Sequence, residues 1–264
     1  MSHYAGTLAR RPRYIMKKAP FLFALALATA QGAAFADTQT EHLGWNTSAE
    51  LGAIATSGNT VGTSVTGKID ARQELPNWSN EYVLDGYFKD EEVTHDNGVK
   101  ERERSAQRFS ASAKAGFKLM GDHDKAFVLG TMVNDRFGAY THYSTIGVGY
   151  GTRLYDGTEH SMDVEIGPGY FSGVRPGGDR ESGPTVRGAA ALKWKVSDTA
   201  TLSETASVER GTSNIHSQSE TALRTKINST MQMKAAFSIR NDTDVPVDKK
   251  NTDTQTSVTL VYSF

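Results

Sequence analysis

Cysteine is missing from all 264 residues, which excludes a disulfide framework, a thiolate metal site and a lipidated cysteine behind a leader. Long apolar runs are missing too. The longest, residues 21–30, is about half of the roughly 20 residues that a membrane-crossing helix needs. Beyond it no segment repeats apolar residues at helical spacing over a useful length, which speaks against a helical bundle. Basic charge is also in short supply. The first 36 residues hold five Lys and Arg and no acid, so their removal leaves 24 basic against 30 acidic residues, a formal charge of −6. That balance argues against a nucleic-acid partner, whose phosphates call for a clustered basic surface.

What is present begins with a basic run, Arg10, Arg11, Arg13, Lys17 and Lys18, then the apolar stretch, then Ala34, Phe35 and Ala36 in a small-x-small pattern. That order defines a secretory leader. The expectation is cleavage after Ala36, with residues 1–36 as signal peptide and 37–264 as one domain. Met16 offers an alternative start.

A period of two dominates the rest. Met231, Met233, Ala235, Phe237 and Ile239 alternate with Gln232, Lys234, Ala236, Ser238 and Arg240, and the same rhythm runs through 65–72, 108–119, 162–170, 186–196 and 223–228. Such alternation marks strands with one apolar and one polar side. Gly, Pro, Asn, Asp and Ser interrupt it at 57–59, 76–77, 121–122, 156–157, 197–198 and 228–229, as tight turns require. The spacing predicts an all-β fold: a single closed antiparallel up-and-down transmembrane β-barrel of about twelve strands. Connections at Pro76, Gly121, Asp156, Ser197 and Asn228 are short. Those expected at 94–103, 175–183, 211–216 and 242–251 are longer and more charged, the end-to-end asymmetry of an outer-membrane barrel.

Charge decides which face meets which medium. Lys68, Asp70, Arg72, Lys114, Asp163, Glu165, Arg187, Lys193, Arg224, Lys226 and Lys234 share the polar face in both signs. A soluble barrel would turn that face to water and pack the other inside. The apolar set, rich in Ala, Gly and aromatics, would pack poorly as a core, so the expectation is the inverse: apolar to lipid, polar to the lumen. With Glu50, Arg153 and Arg240, these charged residues are the candidate lumen lining. A soluble periplasmic β-barrel binding protein stays open as an alternative. Glu204 departs from the scheme, falling on the apolar face beside Leu202 and Val208. Trp45, Trp78, Tyr140, Tyr143, Tyr155, Tyr170, Phe171 and Trp194 lie near strand ends, where aromatic girdles form at the two interfaces.

In the final strand Val258, Leu260, Tyr262 and Phe264 share one face and the chain stops at an aromatic. This resembles the last strand of outer-membrane proteins in general, in which a terminal Phe is read by the barrel-assembly machinery. A wider resemblance rests on residues 50–60, Ser64, Gly67 and Lys68, with Asp135, Arg136 and Phe137, the glycine-rich stretches 147–151 and 165–170, and Tyr262 to Phe264. Together these resemble the salt-induced outer-membrane proteins, a family defined as a domain of unknown function. The resemblance covers almost the whole mature chain and implies an outer-membrane barrel. It brings no catalytic residues.

Chemical motifs are sparse. His42, His95, His123, His142, His160 and His216 fall in loops or at strand ends without metal-pair spacing, and no nucleophile elbow, zinc helix or P-loop occurs. No catalytic, cofactor or metal residue is expected, and no enzyme activity. The expected partners are outer-membrane lipid and, through the last strand, the assembly machinery. Two uses of the lumen stay open: a narrow passive channel for small solutes or ions, or charges paired across it in a structural, envelope-stress barrel. An outer-membrane hydrolase acting on lipids, assembled for example from His142 and Ser144, is the third possibility.

Overall fold

The computed structural model describes residues 43–56, 62–95, 99–119, 123–245 and 250–264. The expected leader, His42 and the turn signals at 57–59 and 121–122 lie outside the described residues. Twelve strands follow one another: β1 Gly44–Thr56, β2 Gly62–Glu74, β3 Trp78–Thr94, β4 Lys100–Lys118, β5 Lys125–Asp135 and β6 His142–Asp156 form one half. The other half is β7 His160–Val174, β8 Arg180–Lys195, β9 Ala200–Arg210, β10 Ile215–Lys226, β11 Met231–Asp242 and β12 Thr252–Ser263. Each pairs antiparallel with its neighbours in sequence, and β1 pairs with β12, so the sheet closes. The expected closed up-and-down barrel is borne out. Closure leaves no edge, so every strand finds its backbone partners within the sheet.

The two faces are sharply different. Leu51, Ile166 and Met132 point outward and are 67%, 62% and 68% exposed, whereas Arg108 and Lys234 point inward and are 4% exposed. An apolar exterior around a charged interior is stable against hydrocarbon and unstable against water. At the turn end the exterior carries aromatic pairs: Trp45 with Tyr82, Trp78 with Phe117, and Tyr262 with Phe264, at centroid distances of 6.1, 5.2 and 5.8 Å. Trp194 stacks on His160 at 5.4 Å.

Two sequence expectations need correction. Three of the long connections are shorter than the charge pattern suggested, because the strands run on: β4 starts at Lys100, β8 at Arg180 and β10 at Ile215. Residues 100–104 are charged on both faces and so show no apolar alternation. They pair instead by charge across the hairpin, Arg104 with Asp90 and Lys100 with Glu92 at 2.7 Å. Only the connection between β11 and β12 keeps its expected length.

The second correction concerns aromatics. Tyr140, Tyr143 and Phe171 belong to no girdle. They cluster on the inner side near the loops, with ring centroids 4.9 to 6.3 Å apart. The inward register of Tyr143 and Phe171, rather than their position along the strand, decides this.

Glu204 faces outward, as its place in the alternation required, and Thr221, directly opposite on β10, donates its hydroxyl hydrogen to the carboxylate. A local donor thus meets part of the carboxylate's hydrogen-bonding demand.

Two glycines set how closely β6 approaches β7. A Cβ on Gly149 would stand 2.5 Å from the Phe127 ring and 2.6 Å from the Ile166 carbonyl oxygen, and one on Gly167 would stand 2.0 Å from the Val148 carbonyl oxygen. Only glycine fits either place, and the space at Gly149 is filled by Phe127 from β5.

Candidate functional site

The interior is the one place where the alternating pattern concentrates chemistry. Inward positions recur every second residue on each strand, so charges far apart in sequence meet across a narrow cylinder. Near the turn half, Glu50 on β1 accepts from Lys234 Nζ at 3.1 Å and from Arg224 Nη2 at 3.4 Å, and Lys234 also reaches Glu220 at 3.0 Å. On β2, Asp70 lies 3.2 Å from Arg72 and 3.6 Å from Lys68. Arg153 donates to Asp163 at 2.9 Å on the neighbouring strand.

Glu165 on β7 joins two more walls. It pairs with Lys114 of β4 and, at 3.4 Å, with Arg187 of β8. The Lys114 ammonium also sits 4.7 Å from the Phe127 ring centroid, a cation held over an aromatic face. Lys193 and Lys226 occupy inward register positions nearer the turns, opposite Ser161 and Gln232 respectively.

Toward the loops one ion pair spans the lumen. Arg240 Nη1 on β11 donates to Asp135 Oδ2 on β5 at 3.2 Å, and Arg108 Nε on β4 stands 3.7 Å from the same oxygen. Strands β5 and β11 lie on opposite walls of the ring. Asp135 and Arg240 therefore clasp the barrel across its width.

A cavity of about 300 Å³ lies on one side of the clasp, lined among others by Glu50, Lys68, Asp85, Arg108 and Lys234. A smaller one of about 70 Å³ lies beyond it, against Tyr143, Phe171, Glu209 and His216. Asp135, Arg240 and Asp253 border both. Each cavity has room for several waters and polar walls to hold them.

Loops close over the clasp. Arg175, between β7 and β8, donates to Glu181 at 2.9 Å and to Asp244, in the connection after β11, at 2.5 Å. Tyr140 donates its hydroxyl to Glu181 at 2.9 Å. Burial, reinforced by that hydrogen bond, holds the Tyr140 phenol well above its ordinary pKa. Burial works against the Arg175 charge, but the hydrogen bonds to Glu181 and Asp244 outweigh it and keep the guanidinium firmly protonated. His216 Nδ1 lies 2.9 Å from Asp242 just below.

The clasp and the mouth were the hardest parts to read from sequence. Arg108 sits on the polar face of a recognised strand, and Glu220 lies four residues before Arg224 on one face of β10, so a strict period-two extension finds both. Asp135 ends its strand and gives no such signal. Glu181, Asp242 and Asp244 sit where loops were expected.

The remaining candidates are placed plainly. His142 and Ser144 both face outward on β6, away from the lumen. Among the described residues no group of three or more His, Asp and Glu could hold a metal ion. Val258, Leu260, Tyr262 and Phe264 face outward and are each close to half exposed or more.

Similarity to known proteins agrees with this geometry. The family described as a protein of unknown function, DUF481, matches residues 49–264. A protein of Escherichia coli (strain K12) named "Uncharacterized protein YdiY" is 27% identical over 214 residues, 81% of each chain. Among solved structures, the COG4313 outer membrane channel from Pseudomonas putida F1 superposes with a TM-score of 0.55 over 88% of this chain and 100% of that one, at 10% identity. That likeness is one of fold. The translocator domain of autotransporter NalP from Neisseria meningitidis aligns more loosely, at a TM-score of 0.46 and 16% identity over 84% of this chain and 88% of that one.

Proposed function

This chain belongs to the DUF481 family, and from that premise we propose that it is an outer-membrane barrel giving small ions and polar solutes a narrow passive path. The observation that carries this reading is the interior cavity of about 300 Å³, walled by charges of both signs inside a cylinder whose exterior is apolar. A lumen built only for rigidity would pack its side chains to fill that space, as the narrowest barrels do. Export follows from the leader, with residues 1–36 removed. The short turns then face the periplasm and the loops face outside, the usual sidedness of such barrels. The apolar belt meets lipid, and the last strand, ending at Phe264, is what the assembly machinery engages.

One observation favours a second reading. The Asp135–Arg240 clasp spans the barrel, and ion pairs across a lumen also serve a closed, structural barrel. Planar-bilayer recording of refolded residues 37–264 separates the two. A path predicts discrete conductance steps, larger in Asp135→Asn, where the clasp is gone. Absence of steps over many insertions of correctly folded protein leaves the structural barrel.

A further inference from the structure

The inward charges are not distributed evenly along the barrel axis. At the loop end the inward register holds Glu91, Glu181, Glu209, Asp242 and Asp253 against the bases Lys89, Arg187 and Arg240, so acids are in excess there. At the turn end it holds Lys118, Lys125, Lys193, Lys195 and Lys226 against the acids Glu74 and Asp163, so bases are in excess there. Several of these are paired: Glu91 with Lys89, Glu181 with Arg175, Lys118 with Glu74, and Lys195 with Asp198. Glu209 and Asp253 make no ion pair among the described residues, although Arg187 and Arg240 occupy the register positions directly opposite them, and both acids border the smaller cavity. Lys125 and Lys226 likewise make none at the other end. Glu81, a further inward acid of the turn half, stands between Arg72 and Lys114 on the two neighbouring strands, which offset it.

Rings of charged side chains set which ions enter a narrow pore. At about 0.1 M salt the Debye length is about 10 Å, so the charges at each end act on ions well into the lumen. An acidic segment admits cations and an alkaline-charged one admits anions. Set in series, the two do not conduct equally in both directions. When the loop side is positive, cations enter through the acidic end and anions through the basic end, so both accumulate in the middle and the current is high. When the polarity is reversed, both are drawn out of the middle, neither is replaced, and the current falls.

We propose that this barrel is a bipolar, rectifying path for small ions, with an acidic loop-side segment and a basic turn-side segment in series. The proposal rests on the passive-path reading above and specifies which ions enter from which end.

The test uses refolded residues 37–264 in planar bilayers at about 0.1 M salt. Because the chain has no cysteine, a single Gly177→Cys change in the loop between β7 and β8, blocked by an impermeant thiol reagent from one side, reports the orientation of each insertion. The expected result is a current at least about twofold larger with the loop side positive, an asymmetry that fades at about 1 M salt, where the Debye length is about 3 Å. Two independent variants, Glu209→Gln with Asp253→Asn and Lys125→Gln with Lys226→Gln, are each expected to flatten the asymmetry. Conductance that is symmetric at low salt overturns the bipolar arrangement alone, as does an asymmetry that both variants leave intact. No conductance at all overturns the path, and the rectification with it.

Discussion

Arg240 Nη1 lies 3.2 Å from Asp135 Oδ2 although β11 and β5 stand six strands apart in a ring of twelve. No other single bond so plainly measures the width of the lumen. Both groups are almost wholly buried, and Arg108 leans on the same carboxylate. Removing the acid strands two guanidiniums in a confined space. Asp135→Asn is expected to lower stability by on the order of 3 kcal/mol, read as a lower urea midpoint for the loss of heat-modifiable gel mobility. A midpoint equal to the parent's would mean that water already solvates the clasp.

Glu165 serves two bases, Lys114 and Arg187. Glu165→Gln is therefore expected to cost more than Lys114→Gln or Arg187→Gln alone. In a double-mutant cycle each base is expected to couple to the acid by about 1 kcal/mol or more. Strict additivity of Glu165 with both bases would show the three to be independently hydrated.

Glu204 is the test of the inverted faces. It sits outward, held by Thr221. Glu204→Leu is expected to raise the temperature at which the barrel loses its heat-modifiable mobility in lipid, and Thr221→Val, which removes the donor, to lower it. A destabilised Glu204→Leu protein would place that face against something other than hydrocarbon.

Gly167 has no room for a side chain, since a Cβ would meet the Val148 carbonyl at 2.0 Å. Gly167→Ala forces β6 and β7 apart, at a cost of about 1–3 kcal/mol. Gly130→Ala, where nothing lies within 4 Å, is the control and is expected to be near neutral. Comparison of the two urea midpoints checks it.

Phe264 takes part in closing the ring. Its backbone N–H donates to the Thr47 carbonyl at 2.9 Å, and its carbonyl accepts from the Thr47 N–H at 3.3 Å. Deleting it is expected to lower assembly into cell envelopes severalfold, a loss greater than Phe264→Tyr causes, measured as folded barrel by gel mobility. Equal yields from the deletion and the parent would remove the last residue from the assembly step.

Much of the barrel was legible residue by residue. In β8 and β11, and in β7 as far as Tyr170, the apolar and polar sets follow the period of the pleat, so strand and inward face are read together. β3 was harder: Val83 faces inward and Gly86 outward, which blurs the alternation. The hairpin beyond Lys89 was hidden because both of its faces are charged. The aromatic cluster of Tyr140, Tyr143 and Phe171 was misplaced because proximity to a strand end does not tell which side of the sheet a ring takes.

The sequence by itself determined the strands, their approximate number and the sign of the inversion, because each depends on a side chain's position relative to its nearest neighbours along one strand. Which charges meet was decided only by tertiary structure. Glu50 finds Arg224 and Lys234, and Asp135 finds Arg240, through closure and register, which bring together residues more than a hundred positions apart. No local pattern encodes such a meeting, since a strand shifted by two residues keeps its faces and changes every partner.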